Sequence, residues 1–275
     1  MGGLGMAAEA SELSEVEARV AAYYGGVGLV ERIEEDLARG FNGDLSPEGA
    51  RLYGSFHIGG AEAVERLLDA MPPLAGQAVL DIGCGVGGAV RALTRRGALG
   101  WGLDLTPEFI AAARKLSRMI GADPAVFEVG SALALPYRDR AFDHAIMLHV
   151  GMNIADKRGA MAEAGRVIRP GGAFAIYDIM RVGAGEVTEP LPWAGEAESS
   201  FLDSPGAYAT AAAPWFTEGA RVTRSEEGIA FLEALTDPAE PRPISEAMRE
   251  KIANLDAAFR SGALAPVEMI LTRRG

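Results

Sequence analysis

The sequence is poor in cysteine, since Cys84 is the only one among 275 residues. A single cysteine cannot form an internal disulfide, and it leaves no cluster of thiolates to hold a structural zinc ion. No metal site is therefore expected.

The start of the sequence does not have the charge pattern of a secretory signal. Acidic residues precede the first basic residue, Arg19, whereas a secretory signal begins with positive charge. We expect a protein of the reducing cytoplasm.

Long apolar runs and excess positive charge are also missing. The longest stretch without Asp, Glu, Lys or Arg, Ser204–Thr217, is interrupted by Pro205 and Pro214 and is too short to span a bilayer. The formal net charge is −12, which repels phosphate backbones and anionic lipid surfaces. We therefore expect neither a nucleic acid nor a membrane as partner, and the sequence does not indicate an oligomeric state.

The first part of the chain has the apolar spacing of amphipathic helices. Val16, Val20 and Tyr24 recur at helical intervals, and Ile33 and Leu37 continue the pattern. The prolines that follow Met71 end it, because proline cannot continue a helix. We predict an N-terminal helical lid over residues 1–70 and a core domain over residues 71–275.

After this boundary, short apolar runs alternate with helix-length amphipathic stretches, the pattern of a parallel sheet covered by helices on both faces. The predicted fold is α/β, a doubly wound and mostly parallel seven-stranded sheet, with its ligand at the carboxyl ends of the strands. The predicted strands are Ala78–Ile82, Leu99–Leu103, Ala125–Val129, Phe142–Leu148, Ala173–Ile179, Ala220–Thr223 and Val267–Leu271. The predicted helices are Gly88–Arg95, Pro107–Ile120, Asp156–Ile168 and Ser245–Phe259. Residues 183–213, rich in Gly, Pro and Ala, are predicted to form a flap over the site.

Two acids flank a glycine-rich loop. Gly83, Gly85 and Gly88 satisfy G-x-G-x-x-G, which alone would fit a nicotinamide-dependent oxidoreductase. Asp104 lies about twenty residues after the loop, where its carboxylate can accept both ribose hydroxyls of either cofactor type. Asp81, two residues before the first glycine, suits a cationic amino group and would repel a pyrophosphate. Asp81 therefore favours an adenosyl cofactor that carries an ammonium group.

These residues resemble the class I S-adenosylmethionine-dependent methyltransferases, and the resemblance extends over most of the chain. The motifs that carry it are Asp81-Ile82-Gly83-Cys84-Gly85, Gly102-Leu103-Asp104-Leu105, Ala134-Leu135-Pro136-Tyr137 with Ala141-Phe142-Asp143, and Arg166-Val167-Ile168-Arg169-Pro170-Gly171-Gly172. More narrowly, the chain is similar to a bacterial small-molecule branch near the glycine and sarcosine methyltransferases. The segments in question are Ser55–Gly60, Leu148–Ile154, Pro192-Trp193 and Ser200–Leu202.

The resemblance implies a Rossmann-like fold of the class I methyltransferase type and a set of cofactor contacts. The methionyl part of the cofactor would contact Asp81, Gly83, Cys84 and Gly85, and the ribose would contact Asp104. The face of the adenine would contact Leu105, and its edge would contact Ser131 and Ala132. Leu148 would be a further cofactor contact. The family usually has aspartate where this chain has Ser131. The adenine amino group is therefore expected to bond to the Ser131 hydroxyl or to backbone, with weaker cofactor affinity.

Methyl transfer from a sulfonium needs alignment and exclusion of water, and a base only if the acceptor arrives protonated. His149, just past the fourth strand, is the candidate base, and a histidine packed against backbone is the alternative. His57, Tyr24, Trp193 and Phe201 are the candidate substrate contacts. For His57 the alternative, a capping or packing role, is the preferred interpretation. For Tyr24, Trp193 and Phe201 the alternative is packing in the core, and for Tyr23 packing in the core is preferred.

The resulting prediction is methyl transfer from S-adenosylmethionine to a small molecule at nitrogen, oxygen or carbon, with S-adenosylhomocysteine as product. Two alternatives stay open. One is a nicotinamide-dependent oxidoreductase, and the other is a protein of the same fold that binds the adenosyl cofactor without transferring methyl, because a fold does not fix a function.

Overall fold

The computed structural model describes residues 14–25, 54, 57–121, 125–195, 199–239 and 244–275. The helices are α1 (Glu15–Tyr24), α2 (Gly60–Asp69), α3 (Gly88–Arg95), α4 (Pro107–Met119), α5 (Lys157–Val167), α6 (Pro205–Ala212), α7 (Ser225–Thr236) and α8 (Glu246–Arg260). The strands are β1 (Ala78–Ile82), β2 (Leu99–Asp104), β3 (Val126–Val129), β4 (His144–Leu148), β5 (Ala173–Arg181), β6 (Phe216–Thr223) and β7 (Leu264–Arg273). A short 3-10 helix covers Gly151–Asn153. The predicted helical residues Ile33 and Leu37, and the motif residues Ser55 and Phe56, lie outside the described residues.

The strands form one seven-stranded sheet in the order β3-β2-β1-β4-β5-β7-β6. The first five strands are parallel to one another, and β7 is antiparallel to both β5 and β6. The strand order reverses between β1 and β4, and in such sheets ligands bind beyond the carboxyl ends of the strands at this point. The predicted fold class is confirmed.

Several helices begin with the sequence signals expected of helix starts. Ser14, Ser204 and Ser245 each accept a backbone N–H bond at the start of a helix, and Pro107 occupies the first turn of α4. At α1 the carboxylate of Glu17 also accepts the Ser14 backbone N–H, which completes a capping box. These local signals fix the helix starts.

The core lies on both faces of the sheet. On one face the sheet packs against α2 and α3, with Leu67 and Leu93 fully buried, and on the other against α5 and α6, with Met161 and Tyr208 buried. A further cluster joins α7 and α8 to the flap. Among the described residues, no helix combines the length and the apolar character required to cross a bilayer.

The element boundaries depart from the prediction where pairing between distant segments decides them. β4 begins at His144 and not at Phe142, because Phe142 forms an isolated bridge with Ile168. Strands β5, β6 and β7 are longer than predicted, since β7 pairs with β5 along its length and with β6 from Phe216 onward. The predicted flap contains regular structure, namely α6 and an isolated bridge between Leu191 and Ala194.

Candidate functional site

The loop after β1 turns on glycines whose backbone a side chain would not tolerate. Gly83, Gly85 and Gly87 all have positive φ angles, of 79°, 52° and 83°. A Cβ on Gly83 would lie 2.3 Å from Val150 Cγ2, whereas one on Gly85 would meet no atom of the described residues within 4 Å. The backbone N–H groups of Gly83 and Cys84 both donate to the Leu103 carbonyl, at 2.7 and 3.0 Å. The loop is therefore held against β2, with open space at Gly85.

Asp81 is a buried carboxyl group without a cationic partner among the described residues. Its residue is 2% exposed, and its Oδ1 atom has no hydrogen-bond partner within that part of the chain. Burial, and secondarily the charge of Asp104, raise the pKa of Asp81 to about 8. An ammonium group placed against this carboxyl would supply the missing charge.

Asp104 ends β2 and is anchored by the backbone. Its Oδ2 atom accepts the Gly85 N–H at 2.8 Å, and its Oδ1 atom accepts the Thr106 N–H at 2.9 Å. Burial raises the pKa of Asp104, and these hydrogen bonds act in the opposite direction. Because each carboxylate oxygen has two lone pairs, both can still accept a hydroxyl of a ribose. Leu105 follows directly and is half-buried.

A buried arginine, Arg91, supports the loop from beneath. Its Nη1 atom donates to the Val86 carbonyl at 2.7 Å, and the residue is 2% exposed. Arg91 is not among the predicted site residues, although an arginine within an otherwise apolar helix face is a signal that could have revealed it. Cys84 is buried, and burial raises the pKa of its thiol, in agreement with a packing role.

Ser131 lies just past β3 and is bonded to the N-terminal helix. Its hydroxyl donates to Glu17 Oε1 and accepts the Leu133 N–H at 2.9 Å. Ser131 is buried, and Ala132 packs against the adjoining core. The structure therefore brings a carboxylate to the strand end where the sequence shows only a hydroxyl. Glu17 was not among the predicted site residues.

Helix α1 lies across the ligand side of the sheet. The hydroxyl of Tyr24 is 3.3 Å from Asn153 Nδ2, and its ring lies 6.0 Å from that of Phe109. Burial raises the pKa of Tyr24, and Tyr23, Asp104 and Asp178 raise it further. The helix thus connects α4 and the end of β3 to the segment after β4.

Two histidines meet near the end of β4. The rings of His57 and His149 lie 5.7 Å apart, and His149 also lies 5.1 Å from the ring of Tyr177. Burial lowers the pKa of His57 to about 4 and that of His149 well below its ordinary value. Both Nε2 atoms are buried and lack a hydrogen-bond partner in the described ranges. His149 has a φ of 54°, an uncommon backbone conformation for this residue type.

The remaining predicted residues occupy different surroundings. Leu148 is buried in the core at the end of β4. Trp193 is buried in the cluster beneath α7 and α8, and its Nε1 atom donates to Ser200 Oγ at 2.9 Å. Phe201 is half-buried and bonded through its backbone to Met152 and Lys157.

The preferred interpretation of Tyr23 as a core residue is wrong. Its side chain is 40% exposed, and its hydroxyl donates to the Pro192 carbonyl. Helical spacing did not reveal that this residue of α1 faces the flap and not the core.

A second buried carboxyl group, Asp178 on β5, was not predicted. It accepts the Tyr208 hydroxyl at 2.7 Å and the Ile179 N–H at 3.0 Å. Burial raises the pKa of Asp178 to about 6, and Lys157, which lies over the Tyr208 ring, acts to lower it.

Clusters that would suit a metal ion are lacking in the part of the chain that the structure describes.

Comparison with known proteins identifies relatives of the central part of the chain. Residues 80–176 match the profile of a family described as "Methyltransferase domain". "Methyltransferase GfsG" from Streptomyces halstedii is 36% identical over 123 residues, which cover 44% of this chain and 44% of GfsG. The chain thus matches less than half the length of its first curated relatives.

Solved structures extend the likeness to the whole fold. A putative sarcosine dimethylglycine methyltransferase from Galdieria sulphuraria has a TM-score of 0.67 and 20% identity, with 82% of this chain and 95% of that chain covered. Geranyl diphosphate C-methyltransferase from Streptomyces coelicolor A3(2) has a TM-score of 0.73 and 17% identity, with 96% and 99% covered. At these identities the likeness establishes the fold.

Proposed function

We propose that the protein is a class I S-adenosylmethionine-dependent methyltransferase that methylates a small molecule, and the match of residues 80–176 to the profile of a methyltransferase domain supports this. S-adenosylmethionine would supply an electrophilic methyl group, and S-adenosylhomocysteine would be the product. The observation that carries this proposal is the buried carboxyl of Asp81, whose Oδ1 atom has no hydrogen-bond partner in the described part of the chain, together with the open space at Gly85. A cofactor with a cationic amino group fits this combination.

The cofactor's parts would bind in the order of the strands. Asp81 and the loop of Gly83, Cys84 and Gly85 would hold the methionyl part, because a cation offsets the burial of the carboxyl. Asp104 would accept the ribose hydroxyls. Leu105 would contact the adenine face, and Ser131 with Ala132 the adenine edge. Leu148, at the end of β4, would be a further cofactor contact. These assignments follow the arrangement of residues at the carboxyl ends of β1, β2, β3 and β4.

His149 is the proposed base for an acceptor that arrives protonated. Burial lowers its pKa, so the imidazole is neutral at pH 7, and its Nε2 atom has no hydrogen-bond partner among the described residues. His57, whose ring is adjacent, would contact the acceptor. Tyr24, Trp193 and Phe201 are the proposed aromatic contacts.

The surrounding segments would exclude water. We propose that residues 1–70 form the lid, that residues 71–275 form the core domain, and that the flap at residues 183–213 closes the site. This is supported by the bond from Tyr23 to the Pro192 carbonyl, which connects α1 to the flap. Exclusion of water favours transfer to the acceptor over side reactions.

We also propose a cytoplasmic location, from the single cysteine, and no nucleic-acid partner, from the net charge of −12. Both proposals are compatible with a small molecule as the methyl acceptor.

Ligand-dependent stability tests the cofactor assignment. A ligand at a hundred times its dissociation constant adds about 2.7 kcal/mol, which raises the unfolding midpoint of a chain of this size by about 5–10 °C. We expect this shift with S-adenosylhomocysteine and none with NADH. The reverse result would establish the nicotinamide alternative. Transfer of labelled methyl to amines, phenols, acids and isoprenoids then tests catalysis, and binding without transfer to any acceptor would favour a non-methylating protein.

A further inference from the structure

The position of the adenine ring follows from the order of the strands. A ligand that places its ammonium group at Asp81 on β1 and its ribose at Asp104 on β2 extends in the direction away from β4. The next strand in that direction is β3, about 4.8 Å away. The base would therefore lie at the carboxyl end of β3, where Ser131 is located. This step rests on the proposed function.

The carboxylate of Glu17 is held at this strand end in a fixed orientation. Its Oε2 atom accepts the backbone N–H and the hydroxyl of Ser14, at 3.0 and 2.9 Å, and its Oε1 atom accepts the hydroxyl of Ser131. Burial acts to raise the pKa of Glu17, but these hydrogen bonds outweigh it and leave the pKa below its ordinary value. The group is therefore an ionised acceptor at neutral pH.

From this arrangement we propose that Glu17 reads the exocyclic amino group of adenine, in place of the acid that is missing at Ser131. Oε1 has a second lone pair after it accepts the Ser131 hydroxyl, so it can accept an N–H from the base. A purine with a carbonyl oxygen at the same position would place two acceptors opposite each other. Glu17 is thus a specificity-determining residue that the N-terminal helix contributes to the cofactor site.

Base preference provides the test, because it separates recognition from a merely structural bond. S-adenosylhomocysteine and S-inosylhomocysteine differ in whether this position carries an amino group or a carbonyl. We expect the native protein to bind the adenosyl compound at least about tenfold more tightly, since a hydrogen bond to a charged group is gained in one case and lost in the other. Titration calorimetry measures both dissociation constants.

The variant Glu17→Gln should abolish this preference. The amide has both a donor and an acceptor and therefore suits either base, so we expect the ratio of the two dissociation constants to fall to about one. Glu15→Gln is the matched control: Glu15 lies in the same turn of α1 and is exposed, and its replacement should leave the ratio unchanged. Ser131→Asp in the Glu17→Gln background returns an acid to the strand end and should restore the preference.

The possible outcomes are distinguishable. If the native protein does not bind S-adenosylhomocysteine, the proposed function fails. If it binds this ligand but does not distinguish the two bases, or if Glu17→Gln retains the native preference, the role of Glu17 is refuted while the proposed function stands. Circular dichroism of each variant establishes that α1 and the sheet are retained.

Discussion

Replacement of Asp81 by asparagine tests whether the buried carboxyl is the cation site. Asparagine has nearly the same shape but cannot ionise. In the native protein the pKa of Asp81 is raised to about 8, so most of the group is protonated at pH 7. A cationic ligand binds the ionised form, and binding must therefore release a proton in this pH range.

The pKa sets the magnitude of the effect. With a pKa of about 8, the ionised fraction falls from about one half at pH 8 to about one hundredth at pH 6. The affinity for S-adenosylhomocysteine should accordingly fall about 50-fold over these two pH units. At pH 8, Asp81→Asn should weaken binding by about 10- to 150-fold, because it removes a hydrogen bond between charged groups, worth about 1.5–3 kcal/mol. The variant's affinity should be nearly independent of pH.

The free energy of unfolding of the ligand-free protein should fall as the pH rises, whereas the affinity for S-adenosylhomocysteine should rise. The unfolded chain releases the proton of Asp81 near pH 4, whereas the folded protein retains it until about pH 8. The folded state therefore loses up to about 1.4 kcal/mol per pH unit in this window through this one group. Asp81→Asn removes this contribution, so the difference in unfolding free energy between variant and native protein should grow as the pH rises.

Titration calorimetry between pH 6 and 8, in buffers of different ionisation enthalpy, measures both the affinity and the proton release. Glu62→Gln is a suitable control, because it removes an exposed carboxyl on α2 and should leave the pH profile unchanged. A native affinity that is constant from pH 6 to 8, or an asparagine variant that retains the native profile, would refute the assignment of Asp81 as the cation site.

Two further predictions concern His149 and Tyr208. His149→Asn should lower kcat by about 100-fold or more and leave the affinity for S-adenosylhomocysteine nearly unchanged, since asparagine tolerates the positive φ angle; an unaltered kcat would contradict a role as base. Tyr208→Phe should lower the free energy of unfolding by about 1–3 kcal/mol at pH 8 in urea titrations, because it leaves the buried Asp178 carboxylate with one donor fewer. The loss should shrink at pH 5, below the pKa of about 6 for Asp178. Equal losses at both pH values would show that the carboxylate is not the cause.

The central strands could be predicted from the sequence because their signals are local. Continuous apolar runs mark buried parallel strands, and the glycines after β1 mark the turn. Helix α7 was missed for a tertiary reason. Gly228 interrupts its pattern as a helix breaker would, but a Cβ at this position would lie 2.9 Å from both Phe259 and Pro266. The glycine is therefore explained by close packing against α8 and β7, which no local pattern shows.

In the candidate site too, residues with a signal in the sequence could be predicted, and a residue placed by a contact between distant segments could not. Asp81 and Asp104 could be predicted because the topology of a parallel sheet carries the residue at each strand end to one edge. Glu17 could not, since its contact with Ser131 joins residues 114 apart in the sequence. A serine three residues before a glutamate also has a sufficient local explanation, the capping box. In the structure one carboxylate makes both contacts: Oε2 accepts from Ser14 at the start of the helix, and Oε1 accepts from Ser131 at the strand end. A capping signal is therefore compatible with a ligand contact, and only the fold reveals which oxygen faces the site.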